Sequence, residues 1–341
     1  MTDELEAIDP STAVEMYIAD RENELSQATI YSHRSRLSHF TRWCAEEGIA
    51  ETRELTGLNL HEYRLWRRNE GELNSVTEKT QMDTLRVFIR WCESIAAVEQ
   101  NLSEKVLSPS LSKGENERDE MVDPDVIRSI LDYLSTYAYA STDHVTLLLM
   151  YRGLLRRGAV RAIDLDDAHL EEDEPYIEIH HRPETETPLK NKDEAEREIG
   201  LKRGTAEVLQ DYVRERRHDV TDAYDRRPLI TTEQGRPHAT TVAATAYAVT
   251  RPCSIGAECP HGRDPGTCDA ARDRQQAYAC PSSKSPHPIR RGSITAWLRA
   301  DIPDTVVGDR ASTSPEVLDK HYDERTEHEK MQQRRRYLNH V

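Results

Sequence analysis

At 341 residues the chain is long enough for two domains, and its 36% apolar residues suffice for cores where they recur periodically. No apolar run is long enough to cross a bilayer, and the acidic start MTDELEAIDPS is not a secretory signal, which points to a cytoplasmic protein without a membrane partner. Acids outnumber bases 62 to 46, a net charge of −16, so the chain as a whole repels anionic polymers at low salt. The acids are spread along the whole length. The composition therefore reads as a surface suited to a salty cytosol, where charges are screened within about 3 Å at ~1 M salt, and not as disorder. The last 61 residues differ. From Pro281 onward 11 Lys and Arg stand against 9 Asp and Glu, and an anionic partner is expected to meet the chain there.

The first hundred residues read as helices. SQATIYSHRSRLSHFTRWCAEEG starts at an N-cap, Ser26, carries Ile30, Leu37, Phe40 and Trp43 at helical spacing, and stops at Gly48. TGLNLHEYRLWRRNEG fits another helix. SVTEKTQMDTLRVFIRWCESI repeats the plan, with Ser75 and Glu78 as an expected capping box before Leu85, Phe88, Ile89 and Trp91. The shared phrases FTRWC and FIRWC place Trp43 and Trp91 in one bundle and make Cys44 and Cys92 small core residues. Residues 1–100 thus form a four-helix-sized unit. Residues 101–122 are polar and without period, the expected linker.

A new helix is expected from the Asp123-Pro124 cap. The chain stays helical to about residue 170, and HVTLLLMYRGLLRRGAVRAIDLDD is apolar enough to be buried. PYIEIHHR alternates Ile177 and Ile179 with polar residues and reads as a strand. TPLKNKDEAEREIGL continues it as a polar hairpin or a three-stranded edge sheet, and TAEVLQDYVRERR returns to helix. A Cys-rich insertion follows at 251–280, then the helical RRGSITAWLRAD and a short helix, SPEVLDKH, closed by Tyr322. The expected class is mainly α with a small β-sheet.

Four pieces of the second half carry chemistry: Arg156 in GLLRRGAVRAIDLDD, Lys190 or Lys192 in the polar hairpin, His287 and Arg290 in HPIRRG, and Tyr322. His287 and Arg290 are three apart and share a helix face. Two guanidiniums can clamp the nonbridging oxygens of a phosphodiester. A hairpin lysine can reach a leaving oxygen, a histidine beside an arginine can move a proton near neutrality, and a tyrosine needs such an electropositive nest to act as a nucleophile. Each piece alone is common, and a lone tyrosine is usually a packing residue. Their order and spacing are specific.

That order resembles the tyrosine recombinase, or phage-integrase, family over nearly the whole chain, and its acidity and wording look most like integrases of salt-loving archaea. The resemblance implies a helical, SAM-like core-binding domain at 1–100 and a mixed α/β catalytic domain at 123–341. YRGLLRRGAVRAIDLDD is similar to the family's first box, which implies Arg156 as catalytic with Arg157 as fallback. LKNKDEAERE resembles its lysine hairpin, HPIRRG its second box and LDKHYDER its nucleophile segment. The implied reaction is attack of Tyr322 on a DNA phosphodiester, a 3′-phosphotyrosyl bond and a leaving 5′-hydroxyl, with no metal or nucleotide needed. The implied partners are double-stranded DNA and further copies of the chain, as a dimer or tetramer on DNA. One departure stands out: where the family has a Gly-His or a Trp before the tyrosine, this chain has GDRASTS, and Arg310 is the nearest donor. The alternative reading is therefore a recombinase-like, zinc-stabilised DNA-binding or regulatory protein without turnover.

The insertion places Cys253, Cys259, Cys268 and Cys280, with His261 among them, in a Gly- and Pro-rich stretch. Clustered thiols in an intracellular chain favour metal over disulfides, and four thiolates suit tetrahedral zinc in a structural role. Unliganded or redox-active thiols are the other reading.

Overall fold

The computed structural model describes residues 5–112, 120–322 and 325–335. The chain divides into two compact units, Met1–Arg118 and Asp119–Val341.

The first unit contains α1 (Pro10–Arg21), α2 (Gln27–Glu46), α3 (Gly57–Glu70) and α4 (Ser75–Ser94). Ser26 caps α2 by accepting from the Thr29 N–H. Phe40 joins the two tryptophan groups, packing with Trp43 and Tyr63 on one side and with Phe88 on the other, while Phe88 meets Trp91. Cys44 and Cys92 are buried here, and burial pushes both thiols up to about 12, which leaves them unreactive near neutrality. The expected capping box at α4 is corrected. Asn74 is the N-cap and bonds the Thr77 N–H, whereas Glu78 is buried and spent on Arg64 and Arg68. A capping box forms instead at α3, between Thr56 and Asn59. The expected linker also shortens. Leu102 and Val106 belong to the first unit's core, and Val122 belongs to the second unit's. Apolar residues hidden in a polar stretch made that segment read as free.

The second unit is built on α5 (Pro124–Tyr137), α6 (Thr142–Arg152), α7 (Arg157–Ala162), the strands β1 (Ala168–His169), β2 (Tyr176–Ile179) and β3 (Arg197–Gly200), then α8 (Arg203–Glu215), α9 (Ala239–Val249), α10 (Asp269–Arg272), α11 (Pro286–Arg299), α12 (Asp304–Ala311), α13 (Pro315–His321) and α14 (Glu327–Arg335). The strands form one antiparallel sheet in the order β1-β2-β3, with Ile177 opposite Ile199. Ile177, Ile179 and Ile199 turn inward and anchor it. The architecture is mainly α with this small sheet, as expected. α6 is buried from His144 to Tyr151. α11 is almost as deep, and its Gly292 admits the main chain of Val122: a Cβ there would stand 2.0 Å from the Val122 carbonyl oxygen. Among the described residues no helix is long and apolar enough to cross a membrane.

Candidate active site

Arg156 is the N-cap residue of α7, following a tight bend in which Leu154 adopts a left-handed φ of 52°. Its Nη1 donates to the Ser312 carbonyl at 2.9 Å and the Ala311 carbonyl at 3.3 Å, and its Nη2 donates to Thr313 Oγ1 at 3.2 Å. Arg290, on α11 and 2% exposed, meets the same segment. Its Nη2 donates to the Ala311 carbonyl at 2.6 Å and to Thr313 Oγ1 at 2.8 Å, and its Nη1 donates to the Leu154 carbonyl. Among the described residues its buried Nε has no hydrogen-bond partner. Two guanidiniums therefore converge on one threonine hydroxyl, although residues 156 and 290 lie far apart in the chain.

Tyr322 closes α13 as its C-cap and is 4% exposed, packed with Leu154, Ile294, Leu298 and Leu318. Its carbonyl accepts from Thr295 Oγ1 at 2.9 Å. The Arg290 guanidinium lies 5.7 Å from the centre of its ring, and the His287 ring centre is also 5.7 Å away. His287 stands on the first turn of α11 and is exposed on its outer side. Its pKa is lowered, first by partial burial and then by the charges of Arg290, Lys190, Arg291 and Arg156. Lys190 is thus among the charges that act on the histidine. Lys190 lies on the loop between β2 and β3, and its neighbour Asn191 donates to the Ser312 carbonyl at 3.0 Å, which ties the loop to the same turn.

Burial lowers Arg156, and burial followed by the charge of Arg156 lowers Arg290 to about 10. Both remain cations at neutral pH. Arg310 points elsewhere. It donates to the carbonyls of Arg152 and Gly200 at 3.0 Å each and stacks over Trp297 at 4.8 Å. No motif pointed to Arg197, yet it opens β3 and feels the charges of Arg290, Arg156 and Arg310. Burial, then these three charges, lower it to about 10. Its Nε donates to the Arg310 carbonyl at 2.9 Å and its Nη1 to the Ala195 carbonyl at 2.5 Å. An arginine in an alternating strand looks like a solvated residue, and only the tertiary structure sets it against other cations. Among the described residues none of these four arginines has a carboxylate partner. The four cysteines of the insertion lie apart from this cluster in sequence and line a small cavity of their own.

Such an arrangement can bind a phosphodiester anion, hold it against a buried phenol and supply proton carriers on either side. No family model matches the sequence, and no curated protein is a match. The structure is similar to the Tn1549 transposon integrase in complex with transposon right-end DNA, at 13% identity and a TM-score of 0.63, covering 97% of this chain and 100% of that one. It is similar to a lambda integrase dimer bound to a COC′ core site, at 12% identity and a TM-score of 0.60, covering 94% of this chain and 97% of that one. The N-terminal domain of a phage integrase/site-specific recombinase from Haloarcula marismortui is 36% identical, covering 30% of this chain and 99% of that domain, with a TM-score of 0.30. At 12–13% identity, the first two likenesses establish the fold.

Proposed function

We propose that this chain, which has the fold of the integrase-type tyrosine recombinases, is a site-specific DNA recombinase that cuts and rejoins strands through Tyr322. The observation that carries the reading is the convergence of Arg156 and Arg290 on Thr313 Oγ1, with the Arg290 guanidinium 5.7 Å from the ring centre of the buried Tyr322. In this reading a DNA phosphate replaces the Ala311, Ser312 and Thr313 oxygens as the guanidiniums' acceptor. Tyr322 Oη attacks phosphorus and its proton passes to His287, whose lowered pKa keeps the imidazole neutral and receptive. The bond to the 5′-oxygen breaks, and Lys190 supplies the proton that oxygen takes up. Arg156 and Arg290 stabilise the charge that builds on the nonbridging oxygens. A 5′-hydroxyl from a second strand reverses each step on a new partner. Each protomer supplies one nucleophile, so exchange between two duplexes requires several copies of the chain on DNA. Solved relatives in fold include a lambda integrase tetramer bound to a Holliday junction.

The runner-up, a DNA-binding protein without turnover, draws support from two observations: the Arg156 and Arg290 donors are taken up by main-chain oxygens, and Arg310 is engaged away from Tyr322. One experiment separates the readings. A duplex library of random sequence with a nick beside each test position traps any covalent intermediate, because the short cut strand diffuses away. The recombinase forms an adduct that peptide mapping locates at Tyr322, and Tyr322→Phe binds the selected DNA but forms none. DNA retained only non-covalently by both proteins establishes the runner-up.

A further inference from the structure

We propose that residues 251–283 hold one structural zinc ion on the thiolates of Cys253, Cys259, Cys268 and Cys280, and that this ion fixes the chain that leads into α11. The inference does not depend on the recombinase reading. It starts from a shortfall: in this segment only Ala270 and Ala277 are buried, far too little apolar surface to hold so many residues in place. Yet the segment has a defined path. It leaves after Thr250 and returns at Lys284, where the Lys284 N–H donates to Thr250 Oγ1 at 2.8 Å. Arg274 fastens it to Asp143 and to Thr245.

All four cysteines line a single cavity of about 20 Å³, room for one small ion or one water. None forms a disulfide. Each opens the same kind of turn, in which its carbonyl accepts from the N–H three residues on: Gly256 at 3.3 Å, Gly262 at 3.2 Å, Ala271 at 2.9 Å and Ser283 at 3.0 Å. Gly256 and Gly262 take left-handed φ values of 73° and 63°, which a side chain would resist. Each cysteine is thus held by a short hydrogen-bonded turn of its own main chain.

Charge supports the same reading. Zinc with four thiolates carries a net of about −2, and Arg251 and Arg263 line the cavity. Arg251 is itself held by the Ala248 and Ala270 carbonyls. His261 also borders the space, with its Nε2 paired to Ser282 Oγ at 2.8 Å, and four thiolates complete a tetrahedral set without it. Among the described residues the one trio of donor atoms within 4.8 Å of one another is Asp167, Glu178 and His180, and that trio is already held by Arg182 and His169. The sulfurs stand wider apart, and the ion draws them in, which the exposed residues between them permit.

The test uses the full chain, purified without chelator and weighed under native conditions. A single zinc is expected per chain. Cys268→Ser and Cys280→Ser lose it, and His261→Ala keeps it. Cobalt exchanged into the wild type gives the intense thiolate-to-metal absorption of a tetrahedral sulfur site. Chelation of the wild type, which needs no variant to fold, speeds amide exchange at 251–285 at least ~10-fold and leaves the first unit unchanged. Fresh protein that contains no zinc and gives no cobalt thiolate band, or thiol labelling that reveals disulfides among the four, overturns the proposal. Zinc retained in full by both cysteine variants does the same.

Discussion

The second unit gathers arginines in two places, and the two differ in what neutralises them. At Asp164, Arg226 donates at 2.7 Å, Arg182 at 3.3 Å and Arg236 more closely still, while Asp167 and Asp222 take second bonds from Arg182 and Arg236. Burial would raise Asp167 and Asp222, yet bonds from Arg182 and Arg236 hold both below the ordinary carboxylate value. At Arg290 the company is Arg156 and Arg197, and the acceptors are neutral oxygens of residues 154 and 311–313. In a chain with 62 acids, a cluster of cations around the buried Arg290 that has no carboxylate partner among the described residues departs from the rule the same unit follows elsewhere. Charges burdened in this way cost stability until an anion arrives. Under the proposed function, the difference separates arginines that hold the fold from arginines kept for a phosphate.

Exchanging the losses is the strongest way to break that distinction. Arg290→Met should reduce adduct formation about 100- to 1,000-fold, the range for one preorganised donor, while unfolding free energy moves by no more than about 1–2 kcal/mol, because lost hydrogen bonds and relieved charge offset each other. Asp164→Ala should cost about 3–5 kcal/mol in a denaturant titration, because it strands buried arginines, and should retain the adduct rate wherever the protein is folded. Equal destabilisation by the two variants would make Arg290 another scaffold residue.

Arg197 and Arg310 sharpen the boundary. Arg197→Ala is expected to slow single-turnover adduct formation about 10- to 100-fold. Arg310→Ala, which removes bonds to Arg152 and Gly200, should act mainly on stability, by about 1–2 kcal/mol. The opposite ranking would make Arg310, and not Arg197, the further donor to the phosphate.

The smallest effect concerns protons. The His287 pKa is depressed in the folded protein, so its contribution to stability is present above the ordinary histidine value of about 6.5 and is lost as pH falls through the lower folded value. The neutral base survives over the same range. At subsaturating DNA, the acid limb of the adduct rate should therefore lie below pH ~6.5 and vanish in His287→Gln. A limb centred above that value would remove His287 from the role of base.

Much of this was legible in the sequence where a pattern is local. The helices of the first unit follow from spacing around Phe40, Trp43, Phe88 and Trp91, and the sheet from Ile177 and Ile179. Side-chain choice at helix starts was less legible: Asn74 and Ser75 both cap well, and Glu78 was claimed by Arg64 and Arg68 from another helix. Sequence order brought Arg156, Lys190, His287, Arg290 and Tyr322 to attention. It could not reveal that Thr313 joins two of them, that Arg197 faces them, or that Arg310 lies over Trp297, because each is a contact between distant elements. The GDRASTS segment looked like a lost donor, and in the folded chain it is the seat of the acceptors.

The hydrogen bond between Thr250 and Lys284 also orders events in time. Once α9 and α11 pack, the ends of the Cys-rich segment are already together, and lengthening a closed loop adds only about 0.6 kcal/mol of entropy per doubling. The helical body can then form on the newly made chain before any ion arrives, with the thiols waiting on a tethered loop. If the proposed zinc binds, its uptake is a late capture that tightens an assembled protein, in contrast to small zinc domains whose folding begins with the ion. Under the same proposal, zinc-starved cells would accumulate a folded species vulnerable to proteolysis at one exposed stretch.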